Sequence, residues 1–235
     1  MNLSDFRTRS ARVSGMSTSD SGDTALLDAW ANEAVIQFLR DTKINVQRAS
    51  MAVTASSGDY TLDSDILSFV DIWMEPASGA TDVLLEAVDS AEITRMRLFE
   101  STNDTSSRYY AIQGANLLKL YPAPESSSDL LHIEYVPRPS STLSATADDP
   151  SSSTKGGIPS EYHPTLEAYV KWKACEAEEH KPSENGLQFQ AEYERGVAKI
   201  RADAVRKGGV MRARARWGRR RRFPTTPGID IKYWS

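Results

Sequence analysis

Apolar side chains recur every three or four residues in three segments, which is the spacing of one face of an α-helix. The first segment, residues 23–46, begins with Asp23 or Thr24 as a cap. Its apolar face consists of Leu27, Trp30, Ala31, Ala34, Val35, Phe38 and Leu39. Two further segments, residues 159–180 and 187–207, are separated by a short polar stretch. We therefore expect these two to form an antiparallel helical hairpin against which the first helix packs.

Between the first helix and the hairpin, residues 47–137 change to short runs rich in β-branched and aromatic residues. Four strands are predicted there, at residues 47–55, 60–62, 66–74 and 83–88. A short helix follows, with an apolar face of Ile93, Met96 and Phe99. Three more strands are expected to form an antiparallel meander, at residues 108–113, 116–121 and 130–136.

The pattern predicts an α+β fold with a helical bundle, an inserted antiparallel β-rich region and extended termini. The N-terminal helix and the C-terminal hairpin make the helical core, residues 23–46 and 158–207, around the β-rich region, residues 47–137. Ser- and Arg-rich composition makes residues 1–22 an N-terminal arm. Residues 138–157 are a Ser/Pro/Gly linker with too few apolar residues to order itself. Residues 208–235 are a basic C-terminal tail.

Charge divides the chain into two parts. The net charge of −4 conceals ten basic and one acidic side chains in residues 206–235, against 18 basic and 31 acidic ones in residues 1–205. An acidic body with a basic tail is typical of a protein that seeks partners, including further copies of itself. The chain contains no apolar run long enough to span a membrane and no apolar signal segment at its start. We therefore expect a protein made in the host cytoplasm, without membrane contact.

Catalytic motifs do not emerge from the sequence. The three histidines, His132, His163 and His180, have no second His or Cys at a metal-binding spacing. His132 lies within a predicted strand and is interpreted as a surface or interface residue, and Cys175 as a buried thiol. The sequence lacks a phosphate-binding glycine loop and a GxSxG motif. We predict a protein that is not an enzyme and uses no metal or cofactor.

The basic tail carries the strongest local signal. Its arginines offer planar donor forks for carboxylate or phosphate groups, and its aromatic residues are common anchors at interfaces. Docking on a protein surface is favoured over DNA binding, while a tail without a fixed contact is the simplest alternative. The candidate contact residues are Arg212, Arg214, Arg216, Trp217, Arg219, Arg220, Arg221, Arg222, Phe223, Tyr233 and Trp234.

Over residues 24–207 the order of elements resembles that of the tailed-bacteriophage head-to-tail connector proteins, also called adaptor or head-completion proteins. Three motifs contribute: Tyr60-Thr61-Leu62 before a β run, Leu131-His132-Ile133-Glu134-Tyr135-Val136-Pro137, and Ile158-Pro159-Ser160-Glu161-Tyr162-His163-Pro164 at the start of a helix. The resemblance implies a structural protein of the virion neck that forms a homo-oligomeric ring, of twelve copies. It also implies a portal protein above the ring, tail or neck proteins below it, and genomic DNA passing through its channel.

Two other functions compete with the connector interpretation. A nucleic-acid-binding module would grip DNA or RNA through the Arg-rich tail, with binding that weakens steeply as salt rises. A hydrolase would need polar groups that converge from the β-rich region, which the sequence does not indicate.

The resemblance also has an implication for the tail. In connectors a C-terminal segment at a similar place in the chain reaches the portal, so the resemblance makes the tail of this chain a candidate portal contact.

Overall fold

The computed structural model describes residues 1–99, 106–114, 116–179 and 184–206. Within these residues the chain forms five α-helices: α1 (Leu3–Ser14), α2 (Ser21–Thr42), α3 (Ser90–Phe99), α4 (His163–Glu179) and α5 (Glu184–Arg206). The strands are β1 (Gln47–Ala52), β2 (Asp59–Thr61), β3 (Ile66–Glu75), β4 (Val83–Leu84), β5 (Glu86–Ala87), β6 (Tyr109–Gln113), β7 (Leu117–Tyr121) and β8 (Leu130–Pro137). The α+β class predicted from the sequence is confirmed.

Helices α1, α2, α4 and α5 pack around one apolar core. Helix α2 contributes fully buried Leu27, Phe38 and Leu39, and α4 contributes Leu166 and Val170. These residues recur at helical spacing, so each helix turns one apolar stripe inwards and leaves its polar side to water.

Two contacts of aromatic rings show in which direction α5 runs relative to α4. The Tyr169 ring packs edge-on against Tyr193, and the Lys171 ammonium lies over the Phe189 ring. The residue numbers rise in one helix as they fall in the other, so the two helices run antiparallel.

Helix α2 begins earlier than the sequence indicated. Asp20 caps it, because the Asp20 carboxylate accepts hydrogen bonds from the N–H groups of Gly22 and Asp23. Asp23, which the sequence offered as a cap, therefore lies within the first turn.

The interpretation of residues 1–22 as an extended arm is wrong, because α1 is a capped helix built into the core. Asn2 and Asp5 form a reciprocal capping box at its start. Because Ser and Arg dominate the composition of this segment, its short apolar stripe was not recognised from the sequence. Four residues at helical spacing are buried against the other helices: Leu3, Phe6, Ser10 and Ala11.

Residues 138–157 are also ordered, contrary to the linker prediction. Leu143 is 3% exposed and is held by Asn32, whose side chain accepts from the Leu143 N–H and donates to its carbonyl. The Asp148 carboxylate lies 2.6 Å from the Lys155 ammonium and accepts from two backbone N–H groups of its own loop. These contacts hold the pKa of Asp148 well below its usual range. Hydrogen bonds thus supply the order that a composition poor in apolar residues does not predict.

Two four-stranded sheets pack face to face in the β-rich region. Sheet A has the order β1-β8-β3-β4 and sheet B the order β2-β7-β6-β5. The arrangement is a small β-sandwich with alternating inward side chains. Its shared core contains Ile72, Met74, Leu131 and Ile133 from sheet A, and Tyr60, Leu118 and Leu120 from sheet B.

Two strand predictions fail because the chain changes sheets. Residues 83–88 do not form one strand: β4 pairs with β3 in sheet A, Leu85 is buried in the core, and β5 pairs in parallel with β6 in sheet B. The expected meander is also wrong. Strands β6 and β7 form a hairpin in sheet B, while β8 lies between β1 and β3 in sheet A.

Strand β3 links the sandwich to the helices. Its pairing with β8 is interrupted by two register shifts, each of which inserts one extra residue into β3. The extra residues, Leu67 and Val70, pack against the helical core together with Val136 of β8. At the end of sheet A that contains Leu67, Val70 and Val136, both faces of the sheet are therefore covered, one by the sandwich and one by the helices. At the other end, the outer face of the sheet does not join the helical core.

We predict that Phe6→Ala lowers the free energy of unfolding by about 3–5 kcal/mol, since it empties a site in the helical core. Phe6 is 1% exposed and its ring packs beside that of His163. The matched control is Thr8→Ala on the exposed side of the same helix, which should change stability by less than about 0.5 kcal/mol. Chemical denaturation measures both, and equally small losses would contradict the placement of α1.

A second prediction concerns His163, which is 1% exposed. Burial lowers its pKa, because the charged ring would lose its hydration. The Ile158 carbonyl, 3.1 Å from the ring Nε2, opposes this effect but does not outweigh it. The unfolded state therefore binds a proton more readily, so this residue reduces stability as pH falls below about 6.5. We expect His163→Gln to lose less stability than the wild type between about pH 7 and pH 5. Identical pH slopes in denaturation would contradict this.

Candidate interaction surfaces

The candidate contact residues of the tail, from Arg212 to Trp234, lie outside the described residues. The structure describes α5, the helix that precedes the tail in the sequence, as far as Arg206. Near the end of α5, the Arg201 guanidinium donates to the Asp41 carbonyl, and the Tyr193 hydroxyl donates to the Asp41 carboxylate at 2.7 Å. Asp41 is in the last turn of α2, which is followed closely by β1. Arg201 of α5 therefore lies beside the corner at which α2 leads into sheet A.

A cluster of polar and aromatic side chains occupies the outer face of sheet A. At its centre is His132 of β8, which is 5% exposed. Its Nδ1 lies 2.7 Å from the Ser50 hydroxyl of β1, and its Nε2 lies 2.6 Å from the Glu75 carboxylate of β3. The Trp73 ring stacks on the imidazole with centroids 5.2 Å apart, and the Arg48 guanidinium lies 4.5 Å from the Trp73 ring centroid.

Register explains why these residues meet. Ser50 pairs with His132 across β1 and β8, and His132 pairs with Trp73 across β8 and β3. Side chains opposite one another on one face of a sheet lie about 5 Å apart, so the three form a row. The sequence placed His132 in a strand but did not reveal its two hydrogen bonds, because their partners are 57 and 82 residues away along the chain.

Ser, His and Glu in hydrogen-bonded order also occur in hydrolases, so this cluster is the converging polar set that the sequence did not indicate. Its local geometry differs from a hydrolase site. Ser50 lies in the middle of an extended strand, whereas a nucleophilic serine commonly stands on a sharp turn beside N–H donors that face the reacting oxygen. The Val53 N–H donates to the Asp129 carbonyl, which continues the β1–β8 ladder. By alternation, the N–H groups of Ala49 and Met51 also point towards β8.

A cavity of about 240 Å³ opens between the edges of the two sheets. Burial raises the pKa of the Tyr135 phenol beside it, and the nearby carboxylates of Asp65 and Asp63 raise that pKa further. The lining of the cavity is mixed, because Ser50, Thr61 and Asp63 contribute polar groups to it. Its apolar lining includes Ala49 and Met51 of β1 together with Leu62, Ile66, Ile133 and Tyr135.

Exposed apolar side chains mark a second surface, at the end of α3. Ile93 and Met96 of the predicted apolar face are buried against sheet B, but Phe99 does not join them, since it is 80% exposed. Leu98 beside it is 70% exposed. The regular spacing of Ile93, Met96 and Phe99 suggested one buried face, whereas α3 ends at Phe99, beyond the part of the helix that sheet B covers.

Among the described residues, no group of three or more His, Cys, Asp or Glu side chains is arranged to hold a metal ion. Cys175 is buried in α4, as its sequence context suggested. In the same described part of the chain, none of the helices combines the length and hydropathy required to span a bilayer.

The chain belongs to the SU10 adaptor protein family, which it matches over residues 1–222. The resemblance to head-to-tail connectors is confirmed by this match. The protein is of the bacteriophage adaptor class, whose members are structural proteins of the virion.

Comparisons with single proteins add little information beyond the match to the family. No protein with a curated description matches the chain. A solved structure, the neck of an empty GTA particle computed with C6 symmetry, overlaps 83% of this chain and 88% of its own. The two share 13% sequence identity with a TM-score of 0.28, so the overlap is too loose to equate the two folds.

We predict that Ser50 does not react with a fluorophosphonate probe, because the N–H groups beside it point into the β-ladder and not towards an oxyanion. Intact-mass measurement of the wild type after incubation tests this, with Ser50→Ala as the control. A mass increase in the wild type that is lost in Ser50→Ala would contradict the prediction and favour the hydrolase alternative.

Proposed function

We propose that this protein is the ring-forming adaptor that joins the portal at the capsid vertex to the tail and lines the DNA channel between them. Its location is the virion neck, and the ring contains twelve copies. Membership of the SU10 adaptor family is the observation that carries the proposal. An adaptor at the vertex meets one protein above it, one below it and the DNA inside, and it needs no catalytic site.

The charge of the body supports the same role. Residues 1–205 carry 18 basic and 31 acidic side chains, and a channel with negative walls repels phosphates rather than binding them. DNA then slides through the channel during packaging and ejection without adhering to its wall.

The Arg-rich stretch, residues 212–222, is proposed as the contact with the portal. Seven of its residues are arginines, and each guanidinium suits a carboxylate through two parallel hydrogen bonds. In the sequence the stretch follows α5, whose Arg201 and Tyr193 bind Asp41 at the end of α2. Trp217 and Phe223 add aromatic anchors at and beside it.

The alternative function, a nucleic-acid-binding module, is favoured by the same arginines. Guanidinium groups bind phosphates as readily as carboxylates. The two functions differ in the partner that is captured and in the dependence on salt, because each phosphate contact releases counterions.

We expect full-length protein to cap purified portal rings with a second ring in negative-stain images, and the 1–208 truncation to fail while remaining folded by circular dichroism. A variant that combines Arg219→Gln, Arg220→Gln, Arg221→Gln and Arg222→Gln should lose capping as well. The matched control replaces the same four arginines with Lys, which keeps the charge but loses the planar fork. It should cap more portals than the Gln variant and fewer than the wild type.

Capping by the truncation would contradict the role of the tail, and absence of capping by the full-length protein would contradict the portal contact. Retention of nucleic acid by full-length protein, with a steep loss between about 50 and 200 mM salt and no capping, would establish the alternative.

A further inference from the structure

Strand β1 is an edge of sheet A, so one side of its backbone is available for pairing. The N–H of Val53, just beyond β1, bonds to the Asp129 carbonyl and fixes which residues of β1 face β8. By alternation, the backbone groups of Arg48, Ser50 and Ala52 point away from β8. These three residues are exposed. The edge is therefore long enough to receive a strand of about six residues.

The cavity beside β1 determines which side chains an added strand would need. On the side of β1 that faces the sandwich, Ala49 and Met51 line the cavity of about 240 Å³, whose remaining lining is apolar at Leu62, Ile66 and Ile133 and polar at Thr61 and Asp63. On the outer face stand Arg48 and Ser50, next to Trp73 and His132. An added strand therefore requires apolar side chains at alternate positions towards the cavity and polar ones between them.

The chain carries one such segment in its own tail. Residues 229–234 read Ile-Asp-Ile-Lys-Tyr-Trp, in which Ile229, Ile231 and Tyr233 alternate with Asp230 and Lys232. This is a period of two with β-branched and aromatic residues on one side, the pattern of a half-buried strand. Its length equals that of β1, which has six residues.

Charge complementarity favours the same match. With the apolar side chains over the cavity, Asp230 and Lys232 lie on the outer face of sheet A. Arg48 of β1 stands on that face, so Asp230 gains an opposite charge on the neighbouring strand. Glu134, which pairs with Arg48 from β8, adds a negative charge to the face that receives Lys232.

The connection is long enough for the segment to reach β1 of its own molecule. Helix α5 approaches the end of α2 through Arg201 and Asp41, shortly before β1 begins. Twenty-two residues, 207–228, separate α5 from the segment, and they span up to about 70 Å when extended. A tether of this length also gives the segment an effective concentration near the millimolar range at a nearby edge.

We propose that residues 229–234 pair with β1 of the same molecule as a fifth strand of sheet A, with Ile229, Ile231 and Tyr233 over the cavity. This inference does not depend on the ring or the portal. It separates the tail into two parts with different contacts. Tyr233 and Trp234 belong to the body, and the arginines of residues 212–222 form a loop held at both ends.

Hydrogen exchange of the β1 amides tests the proposal, using the full-length protein in dilute solution and NMR or fragment-resolved mass spectrometry. The amides of Arg48, Ser50 and Ala52 should exchange at least about tenfold more slowly in the wild type than in Ile231→Asp or in the 1–226 truncation. The matched control, Thr225→Asp, introduces the same charge into the tail outside the segment and should exchange like the wild type. Adding a peptide of residues 227–235 to the truncation should restore the protection.

Fast exchange of these amides in the wild type would overturn the proposal. Slow exchange that persists in Ile231→Asp and in the truncation would overturn it as well, because another element would then cover β1. If the protection is lost when the wild-type protein is diluted, the β1 edges of two molecules pair with each other and the proposal is wrong. The portal-capping result enters none of these outcomes, so the two proposals fail independently.

Discussion

Strand β8 is the element on which the other layers depend. It pairs with β1 on one side and with β3 on the other, so sheet A has no continuous ladder without it. Its inward side chains, Leu131 and Ile133, belong to the core of the sandwich, while Val136 belongs to the core of the helices. A single strand thus contributes to two separate apolar cores, and loss of its pairing would uncouple the sandwich from the helices.

The helices and individual strands were largely predictable because their signals are local. Helix α2 shows its apolar stripe within its own residues, and β3 shows a run of β-branched and aromatic residues. The partners of a strand are not local. Nothing in residues 130–137 distinguishes a third strand of a meander from a central strand of the opposite sheet, and Leu85 gives no sign that the chain crosses the core there.

Composition misled in two segments that are rich in small polar residues. Residues 1–22 are ordered by a capping box and by a short apolar stripe that the helical core buries, and residues 138–157 are ordered by turns whose hydrogen bonds the sequence does not reveal. The same limitation applies to the row of Ser50, His132 and Trp73. Its residue types were visible in the sequence, but their contact follows from register alone. The tail, residues 208–235, stays a prediction from the sequence.

The interrupted pairing of β3 has a consequence for how this sheet tolerates change. Val70, the extra residue at the second register shift, packs on the helices, while Phe69 before it packs on the core of the sandwich. Deleting a paired residue such as Ile72 would turn every side chain on one side of the deletion to the opposite face of the sheet, whereas deleting Val70 itself would remove the bulge and restore a regular alternation. The strand should therefore accept many substitutions but few changes of length.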